Sequence, residues 1–405
     1  MHAAGRWVHC EKTARGRAAM KVRSITIGTD VGFPFETEKV AVAGRFAARV
    51  RAACEEAGVP VQTVRLATPP FPRYLSERTE GEILRFALEL QRCCQEHGID
   101  YCALGPVNPH VDAEVRLLEM LPALIAQTDA VFASALLGTG TQAVRVAAAR
   151  AIARVIQEIA RSTADGFGNL RFAALVNCPP HIPFFPAAFH TGEPTFAFAL
   201  EAADVVAAVC TPDHELAAVS VALRQELEKR VLPLQHIGER LEGEGFFFRG
   251  VDLSPAPGPG PEASIAYAIE RLGLGRFGAP GTLTAAALIT TALKETALRT
   301  CGYCGLMLPV LEDAGLAERN NEGLLRLSSL LVYSAVCGTG LDTIPLPGDV
   351  SEAQLAALLL DVGSLGWKLG KPLSARLLPI PGKQGGEYTN FDFAYFVNTR
   401  IMAVE

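Results

Sequence analysis

The chain has 405 residues, of which 49% are hydrophobic and 20% are charged, a composition typical of a globular protein with a sizeable core. Its formal net charge of -6 lacks the basic excess that phosphate contacts require, so we expect neither nucleic acid nor an anionic membrane surface as a partner. The most apolar stretch, Leu117 to Leu137, is interrupted by Glu119, Gln127 and Asp129, and we predict no transmembrane segment.

Residues 1–19 carry scattered basic side chains but lack the apolar core of a secretory signal. We expect a disordered leader or an upstream start there, followed by a single domain over residues 20–405. The ten cysteines are spread along the chain, as buried thiols usually are, so we expect them to be reduced and the protein to be cytoplasmic.

From Val22 onward, short β-branched or apolar runs alternate with longer amphipathic stretches. This alternation predicts strands and helices wound around a largely parallel sheet. The predicted strands are Val22–Thr29, Val61–Ala67, Tyr101–Gly105, Ala130–Leu137, Arg171–Asn177, Thr195–Leu200, Phe247–Leu253, Gly305–Val310, Leu341–Leu346 and Ser374–Ile380. The predicted helices are Glu38–Glu56, Glu80–His97, Thr141–Arg161, His214–Arg230, Pro261–Leu272, Leu283–Leu298 and Ser351–Lys368.

A Pro- and Gly-rich stretch, Ser254 to Pro261, separates a predicted strand from a predicted helix. Because the same alternation continues on both sides, we interpret the stretch as a rigid loop inside one domain and not as a linker. The chain length permits more than one domain, but α/β barrels often exceed the usual domain size as one unit. We therefore expect a single α/β domain of barrel type.

In barrels and open α/β sheets, the side chains at the carboxyl ends of strands face the pocket. Asp252 lies among Val251 and Leu253 at the end of a predicted strand, so its carboxylate should be paired or have a shifted pKa. It is the first candidate for a catalytic carboxylate. The alternative is that Asp252 caps the Pro-rich loop.

His190 and Glu193 lie three positions apart in a loop. An imidazole and a carboxylate in this arrangement can act as acid and base, or can share a metal ion. The alternative is that both are surface loop residues. Asp30 is a further candidate, because it follows the first predicted strand.

Glu312 and Asp313 are adjacent, so in an extended segment at most one of them faces a pocket; the other should be solvated. Asp342 follows the glycine-bracketed turn Cys337 to Gly340. Such a turn permits close approach of a ligand but is equally typical of a structural turn.

Cys301 and Cys304 have the spacing of a redox dithiol, but such pairs usually open a helix after a strand, and here a predicted strand follows. No second cysteine pair completes a zinc site. The stretch Gly138–Thr141 at the start of a helix could hold an anion on its backbone amides, although it matches neither a dinucleotide fingerprint nor a phosphate-binding loop.

Five runs of sequence, taken in order, resemble the uncharacterised family called domain of unknown function 711. The resemblance extends from about Val22 to Phe391. The runs are Asn177 to Glu193, Val251 to Pro257, Gly278 to Ala285, Leu308 to Asp313, and Cys337 to Asp342.

The resemblance implies a fold related to pyruvate formate-lyase and to the large subunit of ribonucleotide reductase, which is a ten-stranded α/β barrel of two half-sheets. It does not imply radical chemistry, because the C-terminal stretch Asp392 to Glu405 lacks the glycine that a glycyl-radical enzyme needs. Ala279 and Pro280 depart from the Thr-His pair of the family pattern, which argues against a histidine-dependent role at that loop.

Two functions follow from these residues. The first is a non-radical enzyme, a hydrolase with glycosidase-like acid–base chemistry on a small polar substrate. Glu193 and Asp252 would be its carboxylates with His190 beside them, and Asp30, Glu312 and Asp342 are in reserve. The cofactor is unknown, and a divalent metal on His190 is a variant.

The second function is a catalytically inactive protein that binds a small metabolite. A thiol enzyme that uses Cys301 and Cys304 or Cys337 is a third alternative. A small molecule is thus the expected partner. The sequence leaves the oligomeric state open, a homo-oligomer included.

Overall fold

The computed structural model describes residues 20–139, 144–212 and 215–404. Its strands are β1 (Lys21–Gly28), β2 (Val61–Pro70), β3 (Tyr101–Gly105), β4 (Val131–Gly138), β5 (Phe172–Val176), β6 (Thr195–Glu201), β7 (Phe247–Ala256), β8 (Gly340–Pro347) and β9 (Leu373–Ile380). Its α-helices are α1 (Thr37–Glu56), α2 (Pro72–Leu75), α3 (Glu80–Glu96), α4 (Asp112–Gln127), α5 (Val146–Ser162), α6 (Ala203–Val209), α7 (Leu216–Leu241), α8 (Ile265–Glu270), α9 (Thr282–Lys294), α10 (Ala314–Asn321), α11 (Leu327–Cys337) and α12 (Glu352–Leu369). None of the described helices is long and apolar enough to span a membrane.

The strands form one mixed sheet of nine strands in the order β7-β6-β1-β2-β3-β4-β5-β9-β8. Strands β1 to β5 are parallel to one another. On one side, β6 and β7 are parallel to each other and antiparallel to β1. On the other side, β9 and β8 are parallel to each other and antiparallel to β5. The sheet therefore has a parallel centre flanked by two pairs that run the opposite way.

Every predicted strand except Gly305–Val310 coincides with a strand of the sheet. All seven predicted helices are also present within the described residues, although α7 continues to Leu241, beyond the predicted end at Arg230. Helices α2, α4, α6, α10 and α11 were not predicted. The expected leader, residues 1–19, lies outside the described residues.

The segment 299–310 connects the two edge strands without being a regular strand itself. Near its start, the Val251 N–H of β7 donates to the carbonyl of Arg299 at 2.9 Å, and near its end the Val310 N–H donates to the carbonyl of Asp342 in β8 at 3.2 Å. Gly302 and Cys304 have positive φ angles of 74° and 42°, which lie outside the extended region. These two residues precede the predicted strand Gly305–Val310, for which the structure shows no regular strand.

Strand β1 presents a different chemistry on each face of the sheet. Ile25 and Ile27 are fully buried in the main core between sheet and helices. Ser24 and Thr26 point the other way and donate hydrogen bonds to the carbonyl of Pro183 at 3.1 and 2.8 Å. The apolar face of β1 packs against helices, and its polar face contacts a loop.

That loop, residues 177–194 between β5 and β6, is buried against the second face of the sheet. Ile182 and Phe184 pack with small residues of β5 and β6, and Phe185 and Ala188 pack with residues of β2, β3 and β4. The loop thus fills much of the space on this face, and a cavity remains beside it.

Candidate functional site

A cavity of about 780 Å³ lies at the amino ends of β1 to β5, beside the buried loop. Aromatic and aliphatic side chains form one part of its wall, and charged side chains form another. The C-terminal segment Asp392–Tyr395 borders it. The prediction from strand polarity placed the pocket at the carboxyl ends of the strands; for β1 to β5, this cavity is at the opposite end. The reason is that the buried loop enters from the carboxyl end of β5 and occupies that side.

Four charged side chains of the cavity wall form a continuous network. Arg23 and Arg376 each donate to a different oxygen of Glu312, both at 2.7 Å. Arg376 also donates through Nε to Asp342 at 2.6 Å. Glu312 is only 6% exposed, so its carboxylate depends on the two guanidinium groups for the interactions that water would otherwise supply.

Glu201 and Lys21 extend this network along β6 and β1. Glu201 accepts from Lys21 at 2.7 Å and from Arg23 at 3.2 Å. Burial by itself lowers the pKa of Arg23, but the charges of Glu312 and Glu201 outweigh it and raise that pKa. The wall therefore alternates in sign from Lys21 to Asp342.

The local structure of β1 explains how Arg23 reaches this wall. The pairing of β1 with β6 shifts between Val22 and Ser24, so Arg23 is the extra residue of a bulge. A bulge changes the alternation of side chains along a strand. Arg23 and Ser24 thereby both face away from the main core, whereas Val22 is buried within it.

Arg65 of β2 also lines the cavity but has a different environment. Its Nε donates to Thr63 Oγ1 at 3.0 Å, and its guanidinium lies 5.7 Å from the ring centre of Tyr101 and 5.3 Å from that of Phe185. Burial, together with the charge of Arg23, lowers the pKa of Arg65 to about 10. The site therefore disfavours the positive charge of this side chain.

Tyr303 brings a phenol to the cavity from the segment between β7 and β8. Its hydroxyl lies 3.5 Å from Cys178 Sγ, and that thiol donates to the carbonyl of Leu373 at 3.4 Å. Burial raises the pKa of Cys178 to about 12, so the thiol is neutral at ordinary pH. Neither residue was predicted from the sequence.

Asp252 does not line the cavity. It is fully buried and accepts four hydrogen bonds: from the amide and hydroxyl of Ser254 and from the amides of Tyr303 and Cys304, at 2.7 to 3.0 Å. Burial raises its pKa, although these donors oppose the effect. Of the two expected alternatives, the shifted pKa is the one present; the four donors are neutral, and they attach the segment 299–310 to β7.

His190, Glu193 and Asp30 lie near the other end of β1, about 16 Å along the strand from Arg23. His190 is 1% exposed; its Nε2 lies 2.9 Å from the carbonyl of Gly192, and burial lowers its pKa. Glu193 and Asp30 are exposed, and Asp30 accepts from the amide of Gly32 at 2.8 Å. The structure therefore does not bring these three residues together with Glu312 and Asp342.

Glu312 and Asp313 differ as expected in orientation but not in exposure. Glu312 faces the cavity, whereas Asp313 caps α10 by accepting from the amide of Leu316 at 3.0 Å. Asp313 also accepts from the Ser264 hydroxyl and is fully buried. The prediction that one of the two acids is solvated was wrong, because Asp313 holds the starts of two helices together.

Cys301 and Cys304, which have the spacing of a redox dithiol, do not line the cavity. Cys301 and Cys304 are free thiols whose pKa values are raised, mainly by burial. Of the stretch Gly138–Thr141, which could hold an anion, Gly140 and Thr141 lie outside the described residues. Within the part of the chain that the structure describes, no three His, Cys, Asp or Glu side chains are grouped as a metal site.

Four of the charged residues that line the cavity leave a signal in the sequence. Each of the four lies two positions from another polar residue of the same strand, and the residue between them is apolar. The pairs are Lys21 and Arg23, Thr63 and Arg65, and Ser374 and Arg376. Polar alternation of this kind indicates that one face of the strand contacts water. A rule that considers only the carboxyl ends of strands does not identify such a face.

The family model described as Uncharacterised ACR (DUF711) matches residues 16–392 of this chain. A UPF0210 protein of Desulforudis audaxviator is 32% identical over 402 residues, which cover 92% of this chain and 88% of that protein. UPF0210 proteins of Carboxydothermus hydrogenoformans and Pyrobaculum arsenaticum are 30% and 33% identical, over 82% and 86% of this chain and 77% and 81% of their own lengths. These matches confirm the resemblance carried by the sequence motifs, and the chain belongs to the Uncharacterised ACR (DUF711) family.

Proposed function

We propose that the protein binds a small polar organic molecule in the cavity at the amino ends of β1 to β5, and that this cavity is the site of its activity. The observation that carries the proposal is the alternating network from Lys21 to Asp342 on the cavity wall. Buried ion pairs seldom repay their desolvation, and apolar side chains would fill the same space at least as stably. A charged wall beside an apolar one is the composition typical of ligand sites of this volume.

The architecture that we propose for this site is a ten-stranded α/β barrel in which the segment 299–310 takes the tenth position. Two facts support it: the segment hydrogen-bonds to both edge strands, and its bridges to β7 and β8 are parallel. This arrangement would give two half-sheets of opposite direction, as in the fold of pyruvate formate-lyase. An experimental structure in which this segment left one edge strand would contradict the proposal.

Ligand binding at this cavity can be tested with a substitution that places a larger side chain in it. Ala187 lines the cavity from the buried loop and is 3% exposed, so Ala187→Phe should reduce the space with little change of charge. A library of small polar molecules is screened by thermal shift against the wild type and this variant. We expect hits on the wild type that Ala187→Phe loses. Hits retained by a folded Ala187→Phe protein, and by a folded variant of a second lining residue, Met307→Trp, would place the ligand elsewhere.

A hydrolase is the more specific candidate, and the presence of Glu312 and Asp342 on one wall favours it. Two carboxyl groups that flank a substrate can divide the work of general acid and base. Both are bound to Arg376, which fixes their relative positions. Glu193 and Asp252 are not retained as the catalytic pair, because neither lines the cavity.

Chromogenic glycosides and esters test hydrolysis, with Glu312→Gln and Asp342→Asn as the site variants. The exposed Glu193→Gln is a matched control, since it makes the same chemical change outside the cavity. We expect turnover in the wild type and control and at least a hundred-fold loss in the site variants. Turnover that both site variants keep would contradict these roles, and binding without turnover would identify a non-catalytic binding protein.

A further inference from the structure

Arg65 differs from the other arginines of the cavity wall in lacking a carboxylate partner. Arg23 and Arg376 are each within 3.2 Å of two carboxylates. Arg51, which also lines the cavity, lies 3.6 Å from Asp100. Across the described residues, no carboxylate lies within ion-pair distance of Arg65. The wall therefore carries a guanidinium whose charge the protein does not neutralise by direct contact.

The contacts of Arg65 leave one side of its guanidinium for a ligand. The Nε donates to Thr63, and the rings of Tyr101 and Phe185 lie against the group. Within the described residues, the terminal Nη1 and Nη2 have no hydrogen-bond acceptor, and the side chain lines the cavity. Ring contacts and the bond to Thr63 orient a planar fork that can donate two parallel hydrogen bonds.

The charged groups around Arg65 do not form a direct ion pair with its guanidinium. Burial is the largest influence on this side chain; Arg23 repels the guanidinium, whereas Asp100 and Glu312 attract it from beyond ion-pair distance. The carboxylates of the network already accept from Arg23 and Arg376. Asp392, which borders the cavity, is exposed to solvent. A bound anion would supply the negative charge and the hydrogen-bond acceptors that these groups do not give to Arg65.

We propose that Arg65 anchors the ligand through a carboxylate or a phosphate group, whose oxygens accept from Nη1 and Nη2, so that the ligand is a small organic anion. This inference rests on the proposed function, because it names the class of molecule that the cavity takes. The apolar part of the ligand would lie against Phe132, Phe184 and Met307, which line the same space. Its polar groups would meet Tyr303 and the network around Glu312.

The test compares anionic probes with neutral probes of the same shape. The probes are 3-phenylpropanoate and succinate against their amides, and glycerol 3-phosphate and inorganic phosphate against glycerol, all at 10 mM in 0.15 M NaCl. Thermal shift is measured on the wild type, Arg65→Met and Arg65→Lys, with Glu193→Gln as a control outside the cavity. Arg65→Met removes the charge and the fork, whereas Arg65→Lys keeps the charge alone.

We expect at least one anion, and not its neutral counterpart, to raise the melting temperature of the wild type and the control. Arg65→Met should weaken that binding at least ten-fold, and Arg65→Lys less. The carboxylate and phosphate arms show which group the site takes. Equal stabilisation of Arg65→Met, or no anion that stabilises the wild type, would overturn the inference. Neutral molecules that bind the wild type and are lost in Ala187→Phe would overturn it while leaving the proposed function intact.

Discussion

Arg65 and Arg376 lie on one cavity wall, yet their charges have opposite consequences for stability. Two carboxylates raise the pKa of Arg376, and burial lowers that of Arg65 to about 10. A paired charge such as that of Arg376 stabilises the carboxylates around it. A buried charge without a direct partner lowers the free energy of unfolding at neutral pH. Functional sites often keep side chains that destabilise the folded protein in this way.

We therefore predict that Arg65→Met stabilises the ligand-free protein by about 1–3 kcal/mol at pH 7, on the scale of 1.36 kcal/mol per pKa unit. Burial lowers the pKa of Arg65 in the folded state to about 10, below its value in the unfolded state, so there is a pH range above 10 in which only the unfolded state keeps this proton. The wild type thus gains stability as the pH rises above 10, and its difference from the variant shrinks. Urea unfolding at pH 7 to 10.5 measures this.

Arg376→Met is the opposing substitution on the same wall. It leaves Glu312 and Asp342 with fewer donors in a buried place, so it should destabilise the protein by about 3–5 kcal/mol. If both methionine variants were equally destabilised, the distinction between paired and unpaired cations would be wrong.

At the scale of elements, the buried loop 177–194 depends on neutral imidazoles. Burial lowers the pKa of His181 to about 4, and Thr195 Oγ1 lies 3.3 Å from its Nδ1. His181 has a positive φ of 71°, a region that asparagine tolerates well. The loop therefore offers a substitution that keeps its backbone and removes its titration.

We predict that the wild type loses stability as the pH falls from 6.5 towards 4, because the unfolded state binds a proton at His181 that the folded state resists. His181→Asn should lose less over the same interval. Unfolding in urea at pH 7 and pH 5 gives the two differences. Burial also lowers the pKa of His190, so the stability of His181→Asn should still depend on pH to some extent. An unchanged pH dependence in His181→Asn would exclude His181 as a source.

The segment 299–310 is the second element that one side chain positions. Asp252 accepts from Ser254, Tyr303 and Cys304, and an asparagine amide would place a donor against those donors. Asp252→Asn should cost about 2–4 kcal/mol and increase hydrogen exchange at residues 301–305. Tyr303 lines the cavity, so the affinity for a ligand should fall because Tyr303 is displaced, and not because a catalytic carboxylate is lost. Unchanged exchange in this segment would contradict the role.

For the whole molecule, the cysteines report on the integrity of the fold. Cys54, Cys178, Cys210 and Cys304 come from distant parts of the chain, and burial raises the pKa of each to about 12. We predict that iodoacetamide at pH 7.5 leaves these four unmodified in the native protein and modifies them together on unfolding in urea. Peptide mass spectrometry measures each site. Rapid modification of Cys304 in the native state would support a thiol enzyme instead.

Much of the fold is predictable from local patterns, but the site is not. Nine strands follow from runs such as those of β1 and β9, because apolar periodicity directly reflects burial. Helices α2, α4, α6, α10 and α11 were missed; α2, α6 and α10 have 4, 7 and 8 residues, which is too short for a clear periodic pattern. Of the six candidate site residues, Glu312 and Asp342 line the cavity; Asp252 and His190 are buried elsewhere, and Glu193 and Asp30 are exposed.

The sequence by itself determined the family and the alternation of strands and helices. Those features depend on residues close in the chain or on motifs read in order. The tertiary structure alone decided which end of the strands holds the cavity and which charges meet there. The pairing of Arg23 with Glu312 joins residues 289 positions apart, and no local pattern records such a contact. The loop 177–194 packs against the second face of the sheet, and the cavity remains beside it at the amino ends of β1 to β5, with Arg65 on its wall.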